Sequence, residues 1–360
     1  MKSLFDRTHV GGLELKNRFI RSATRDGLAD ARGHVTEELL QVYQDLAQGG
    51  VGTIITGHAY VTNLEQSQQP RQMGIYDDAC IDGYQRLTQA VHAHGANILM
   101  QINCVGPQTY GAGNGRLIWG PSPVEDLFTK ITPKEMALED ISFLQDAFAQ
   151  GALRAKKAGF DGVQIHAAHG YVLSKFLNPY YNRRTDEYGG SIEDRARMLL
   201  ETYSAIRGEV GAAYPVLIKI NCSDFMDQGM TFEDCRYVCK RLAESGISAI
   251  EVSDGNLASW PNEGPIRMIK AGQEHYFRDY AAKLAKEIAV PIISVGGNRE
   301  FEALTETVNQ TRIEYVSLSR PLICESNLIS RWQSGDLRRA KCTSCNKCLG
   351  LESTTCIFNR

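Results

Sequence analysis

The sequence predicts a (β/α)8 barrel followed by a short cysteine-rich extension, and three observations carry that prediction. Eight apolar segments rich in Ile and Val lie along the chain with helical patterns between them, as parallel strands covered by helices require. Four helix-to-strand joints repeat one grammar, an amphipathic run that closes on glycine before the next apolar segment. No G-x-G-x-x-G follows the first strand, so the fingerprint of the competing doubly wound open sheet is missing where that fold would carry it.

In chain order the strands are FIRSAT (19–24), GTIITG (52–57), NILMQIN (97–103), GVQIHA (162–167), VLIKIN (216–221), AIEVSD (249–254), PIISVGG (291–297) and YVSLSR (315–320). The joints are LAQGGVGTIITG, VHAHGANILMQIN, AKKAGFDGVQIHA and LAESGISAIEVSD. Glycine there suits the left-handed residue that ends a helix. Ser191 with Asp194, and Thr231 with Asp234, fit capping boxes at helix starts, with Asp in place of the usual Glu. Between 140 and 159, Ile141, Leu144, Phe148, Ala152 and Ala155 trace one helical face, which is a core stripe and not a cofactor box. Eight such units in about 320 residues fit a barrel whose usual length is about 250 before insertions. The barrel is expected over 1–335 and the cysteine-rich tail over 336–360.

Composition excludes several function classes. A formal net charge of −3 provides no basic field for nucleic acid, and no block of like charge reads as an interaction tail. A small-molecule partner is expected, and a homo-oligomer is compatible with it. The start, MKSLFDRTHVGGLELK, lacks the apolar core of a secretory signal, and nowhere do eighteen apolar residues run together. No membrane partner and a cytoplasmic location are the expectation. Of ten cysteines, six are scattered through apolar patterns as ordinary buried thiols, and four crowd the last twenty residues.

Loop lengths point to the working face. The connections at 104–139, 168–190 and 255–274 follow strands and are long, whereas those from helix back to strand are short. Barrel chemistry sits at the C-terminal ends of the strands, and there the chain gathers Thr24 and Arg25, Gly57 and His58, Gln101 and Asn103, His166 and His169, Lys219 and Asn221, Ser253 and Asp254, Gly296 and Gly297, and Ser319 and Arg320. Gly296 and Gly297 precede a helix and Arg320 ends the last strand, the usual phosphate position of the fold, although a structural glycine turn would read the same way. Lys219, in mid-strand, needs a partner inside the barrel: either a salt bridge, or a group that becomes anionic during turnover. Gln101, with a donor and an acceptor, suits a flat heterocycle that offers both. The stretch QIHAAHGYVLSKF leaves three readings for His166 and His169: metal ligands, core filler, or a hydrogen-bonding pair beside Tyr171. No H-E-x-x-H helix or carboxylate completes a zinc site there.

Over nearly its whole length the chain resembles the old yellow enzyme family of FMN-dependent oxidoreductases. The motifs are LKNRFIRSAT, GGVGTIITG, ILMQI, WGPSPV, IHAAHGYVLSKFLNPYYNRRTDEYGGSIEDRARMLLE, VLIKIN and VSLSRPL. The branch it most resembles is that of NADH:flavin oxidoreductases and 2,4-dienoyl-CoA reductases, which also carry cysteines after the barrel. The resemblance implies FMN across the barrel mouth, with Ala23, Thr24 and Gly57 along one edge of the isoalloxazine and Gln101 on its pyrimidine. It places Lys219 at the N1/O2 locus, where reduction deposits negative charge, and Gly296, Gly297, Ser319 and Arg320 at the phosphate. His166 and His169 become the donors to a substrate oxygen, and Tyr171 the proton donor to the α-carbon of an enone that takes hydride from flavin N5. NAD(P)H and the acceptor are implied to take turns over one flavin face, with ping-pong kinetics.

The chain departs from the pattern in places. Arg25 stands where some relatives place a flavin-tuning cysteine; it favours an anionic ligand such as a carboxylate or an acyl-CoA phosphate if it reaches the site, and it can equally pair with Asp26. QINCVGP replaces Q-x-x-H-A-G-R, so no particular substrate is implied. The tail CTSCNKCLGLESTTC spaces Cys342, Cys345, Cys348 and Cys356 by two, two and seven. A four-iron four-sulfur cluster, zinc and no metal are the three readings; the reductases with a cluster here have a wider third gap and a longer final spacing. Those reductases also continue into nucleotide-binding domains beyond the position of Arg360, so direct reduction of FMN by NAD(P)H is expected. Two other functions compete: a flavin or iron-sulfur electron-transfer module acting on a protein partner, and a flavin-free aldolase-type barrel with Lys219 as Schiff base.

Overall fold

The computed structural model describes residues 1–64, 69–109, 117–349 and 353–359. Eight strands, β1 (Phe19–Arg21), β2 (Thr53–Ile55), β3 (Asn97–Asn103), β4 (Gly162–Ala167), β5 (Val216–Asn221), β6 (Ala249–Ser253), β7 (Ile292–Ser294) and β8 (Tyr315–Leu318), pair in parallel each with the next. The pairing of β8 with β1 closes the barrel. All eight expected strands are present, in the expected order.

Helices cover the outside: α1 (Glu37–Gln48), α2 (Ile81–His92), α3 (Leu138–Lys157), α4 (Arg197–Val210), α5 (Phe232–Glu244), α6 (Arg278–Glu287), α7 (Phe301–Gln310) and α8 (Leu328–Gln333). The joint glycines adopt the left-handed conformation their spacing demands, with φ of 90° at Gly50, 64° at Gly95, 84° at Gly159 and 87° at Gly246. Thr231 and Asp234 form a full capping box at the start of α5. At Ser191 the side chain accepts from the Asp194 N–H, but the Asp194 carboxylate takes the Ser191 hydroxyl, and this cap opens only a short helix, Ile192–Arg195, ahead of α4. The stripe from Ile141 to Ala155 is buried on α3, as expected. Among the described residues no helix is long and apolar enough to cross a membrane.

The barrel interior is layered, and strand parity explains how. Ile20, Ile55, Leu99, Leu217, Ala249, Ile293 and Tyr315 pack together as an apolar floor. Val10 and Leu15 join them from an antiparallel hairpin, Thr8–Val10 with Leu13–Leu15, that plugs the bottom. Val216, Ile218 and Ile220, of the opposite parity on β5, pack instead into the shell shared with the helices. Lys219 has the parity of Leu217 and therefore faces inward, one layer above the floor. The tail folds back over the mouth: the Thr354 N–H donates to the Asp26 carbonyl at 2.9 Å, and the Ala340 N–H to the Arg299 carbonyl at 3.0 Å.

Candidate active site

A cavity of about 280 Å³ lies at the C-terminal ends of the strands. Ala23, Thr24, Arg25, Gln101, His166, His169, Tyr171, Lys219, Gly296, Gly297, Ser319 and Arg320, singled out in the sequence, all line it. Gly57 does not belong to that lining. Its N–H donates to the Tyr43 hydroxyl at 2.8 Å, and a Cβ there would sit 2.7 Å from the Asp26 carboxylate and 2.9 Å from the Thr24 carbonyl. The glycine is needed because the Thr24–Asp26 backbone passes so close, which puts Gly57 one layer behind the wall.

The two histidines extend from the end of β4. Burial, with His169, His58 and Lys219 nearby, holds His166 well below the usual imidazole range, and burial with Lys219 and His58 does the same to His169. Both are therefore neutral at ordinary pH. His166 Nδ1 accepts from the Ala168 N–H at 3.3 Å, which leaves the proton on Nε2 as a donor. His169 sits in the left-handed region (φ 64°), a conformation that costs energy for a side chain with a Cβ. It is tied there by its N–H to Asn221 Oδ1 at 3.2 Å and by Nε2 to Ser253 Oγ at 2.7 Å. The two rings are 5.1 Å apart and nearly perpendicular, and Tyr171 meets His166 edge to face at 4.7 Å. One nitrogen of each ring is thus engaged by a protein group, Nδ1 of His166 and Nε2 of His169, and the other nitrogen of each is left for the cavity.

His58, at the end of β2, completes this ring cluster. Its ring is 5.3 Å from Tyr171, and its Nε2 is 3.5 Å from the Tyr171 hydroxyl, which Gln69 Nε2 also approaches at 3.4 Å. Burial, then Arg25 and Lys219, lowers His58 to about 3. Arg25 lines the cavity and donates to the Pro70 carbonyl at 2.7 Å. The neighbouring Asp26 carboxylate accepts from the Tyr43 hydroxyl at 2.6 Å.

Lys219 finds its partner across the sheet. It is aligned in register with Glu251 on β6, and its Nζ lies 3.2 Å from Glu251 Oε2 and 2.8 Å from Ser22 Oγ. Burial lowers the lysine and Glu251 partly restores it. For Glu251 burial acts upward, but Lys219 and hydrogen bonds from Ser22, Ser317 and Gln164 leave it below the usual carboxylate range. Gln101 is aligned with Gln164 and donates through Nε2 to Gln164 Oε1 at 2.7 Å. The salt-bridge reading of Lys219 and its presence in the cavity wall thus both hold.

At the β7–β8 side, Gly296 and Gly297 have φ of 105° and 74°. Their N–H groups donate to no protein group among the described residues. Arg320 donates to the Arg267 carbonyl at 2.8 Å and to Asn346 Oδ1, and Ser319 Oγ meets Thr24 Oγ1 at 2.7 Å. Unspent N–H groups beside a fixed guanidinium at one end of the cavity, and an amide and an ammonium near another part of its wall, are a donor set that fits a flat heterocycle carrying a phosphate, as FMN does.

Arg320 also lines a second, small cavity together with Cys342, Cys345, Cys348 and Cys356. All four cysteines are free of disulfides. Spacing did not reveal a fifth, Cys324, whose thiol is pushed up to about 12 by burial and by a hydrogen bond with Cys356, with Cys342 close by. No three of these sulfurs lie within 4.8 Å of one another, so the thiols around this cavity are not gathered as a single tetrahedral ion needs, and only a wider, cluster-type centre is compatible with their spread.

Comparison with known proteins agrees with this geometry. Residues 3–338 match the model of the NADH:flavin oxidoreductase / NADH oxidase family. The chain is 34% identical to the NADH oxidase of Thermoanaerobacter brockii over 351 residues, covering 97% of this chain and 54% of that protein. It superposes on 2-naphthoyl-CoA reductase, solved in complex with 2-naphthoyl-CoA, with a TM-score of 0.91 and 25% identity over 99% of this chain and 56% of that one. The old yellow enzyme homologue of Zymomonas mobilis shares the fold, with a TM-score of 0.79 and 22% identity over 95% and 96% of the two chains. The chain spans about half the length of curated relatives such as the Thermoanaerobacter enzyme. With a closed parallel barrel, the cavity at its C-terminal mouth and a family match across that entire barrel, the chain belongs to the NADH:flavin oxidoreductase / NADH oxidase family.

Proposed function

We propose that the cavity holds FMN and that the chain uses NAD(P)H to reduce an activated alkene, an enone or enoyl thioester, or a related acceptor. The observation that carries this reading is the convergence on one cavity of Gln101 and Lys219, of the Gly296–Gly297 turn with Arg320, and of the ring cluster His166, His169 and Tyr171. Bound there, FMN supplies the hydride relay between nicotinamide and acceptor. Gly296, Gly297, Ser319 and Arg320 would hold its phosphate, Ala23 and Thr24 would flank its ring, and Gln101 and Lys219 would bind its pyrimidine.

His166 and His169, both neutral, offer N–H donors to the acceptor's oxygen. Fixed donors in a buried site stabilise that oxygen most as enolate charge builds on it, and need no reorganisation when it does. Tyr171 holds the proton for the α-carbon, and His58 and Gln69, which face its oxygen, can donate to that oxygen once the proton has left. Arg25 favours an acceptor that carries a carboxylate or an acyl-CoA phosphate.

The tail thiols are assigned to a four-iron four-sulfur cluster in preference to zinc, because three of them come from one short run and no three of their sulfurs converge within 4.8 Å as a single tetrahedral ion would need. A second reading, an electron-transfer module serving a protein partner, draws on Arg320, which lines both cavities and would put such a centre beside the FMN phosphate. Replacing His166 and His169 together by alanine is expected to abolish binding of phenol-type ligands, followed by their charge-transfer absorbance, while FMN stays bound. Unchanged phenol binding would remove the role given to the pair.

A further inference from the structure

Gln101 and Lys219, the two side chains assigned to the flavin pyrimidine, share one support. Glu251 is fully buried. Its Oε2 faces Lys219 Nζ at 3.2 Å and accepts from Gln164 Nε2 at 2.9 Å, and its Oε1 accepts from the hydroxyls of Ser22 and Ser317, each at 2.7 Å. Four donors converge on two oxygens, so the carboxylate is ionised and has no capacity left for a ligand.

Two consequences follow from elementary electrostatics. An ammonium in a dry pore is costly unless an anion accompanies it; Glu251 supplies one, and a reduced flavin or its sulfite adduct would supply a second. Glu251 lies just behind the cation, so the pore presents a dipole with its positive end towards the cavity and not an isolated positive charge. The carboxylate also sets direction in the amide chain above it. Because Glu251 can only accept, Gln164 must donate to it through Nε2, which turns Gln164 Oε1 towards Gln101 Nε2 at 2.7 Å and leaves the Gln101 carbonyl oxygen unused among the described residues.

We propose that Glu251 is a positioning residue which sets the flavin's reduction potential by cancelling part of the field of Lys219. The proposal rests on the flavin reading of the cavity. With part of the cation's field cancelled, the negative charge of reduced flavin is stabilised less than by a lone ammonium, which favours giving hydride up.

The test uses FMN-loaded protein and compares the wild type with Glu251→Gln, Lys219→Met and the double variant, reading flavin content, two-electron midpoint potential and the dissociation constant of sulfite, which adds to flavin N5 and leaves an anion on the ring. All four proteins are expected to hold FMN. Glu251→Gln should bind sulfite at least tenfold more tightly, with its potential raised by the same factor, about 30 mV for two electrons. Lys219→Met should move both readings the other way. The double variant leaves no buried charge unpaired, so it remains informative if Glu251→Gln does not fold, and it should lie at least tenfold above Lys219→Met. A flavin-loaded Glu251→Gln with potential and sulfite affinity within twofold of wild type or below it, or a double variant matching Lys219→Met, overturns the proposal. A wild type that takes up no FMN overturns the flavin reading itself, a different and separately visible result.

Discussion

His58 is buried with its ring against Tyr171, and burial, followed by Arg25 and Lys219, holds it neutral down to about pH 3. In the unfolded chain the same imidazole titrates near 6.5, so below that pH the unfolded state binds a proton that the folded state does not. Its contribution to stability is complete above about pH 6.5 and declines as pH falls towards 3, by roughly 1.4 kcal/mol per pH unit at its steepest. His166 and His169, also lowered by burial, act in the same direction. Denaturant titrations at pH 7 and pH 4.5 should show His58→Gln losing less stability between the two than the wild type; equal losses would mean that His58 does not carry this linkage. At this scale the sequence was only partly legible. His166, His169, Lys219 and Gln101 were marked by their place on the strands, by their side-chain chemistry and by the family resemblance. The contacts of His58 with Tyr171, 113 positions away, and of Lys219 with Glu251 depend on ring packing and strand register. Gly57 looks like a wall residue in sequence and lies one layer back because the Thr24–Asp26 backbone occupies the space in front of it.

Among the elements, local chemistry made the helix-to-strand joints readable: each needs a left-handed residue, and glycine supplies it without strain. The N-terminal hairpin had an equally local signal, the Gly11–Gly12 pair between two alternating runs, but its role as a plug comes from Val10 and Leu15 packing on residues of the strands, which no local pattern contains. The tail was legible as a cysteine run. Its fold back over the mouth was not, because the Thr354–Asp26 bond joins positions more than three hundred residues apart. Protein purified without oxygen should carry iron and acid-labile sulfide, and Cys345→Ser should lose most of both while its far-ultraviolet spectrum is kept. Wild-type protein carrying neither iron nor sulfide would contradict the cluster assignment.

Over the whole molecule, an apolar floor supports a polar layer, and that layer supports the mouth. Leu99, Leu217 and Ile293 pack below; Gln164, Glu251 and Lys219 form the buried network above them; and His166, His169 and Arg320 face the cavity at the top. Alternation along each strand builds this order, whereas in the sequence the barrel is legible from its apolar segments and glycine joints, and the wall from strand ends and the family resemblance. The central claim is that this wall holds FMN by both ring and phosphate. Titrating the protein with FMN and, in parallel, with riboflavin, which lacks the phosphate, tests it most directly through quenching of flavin fluorescence. One FMN per chain with riboflavin bound at least a hundredfold more weakly is the predicted result; no uptake of FMN, or equal affinity for the two, would contradict it.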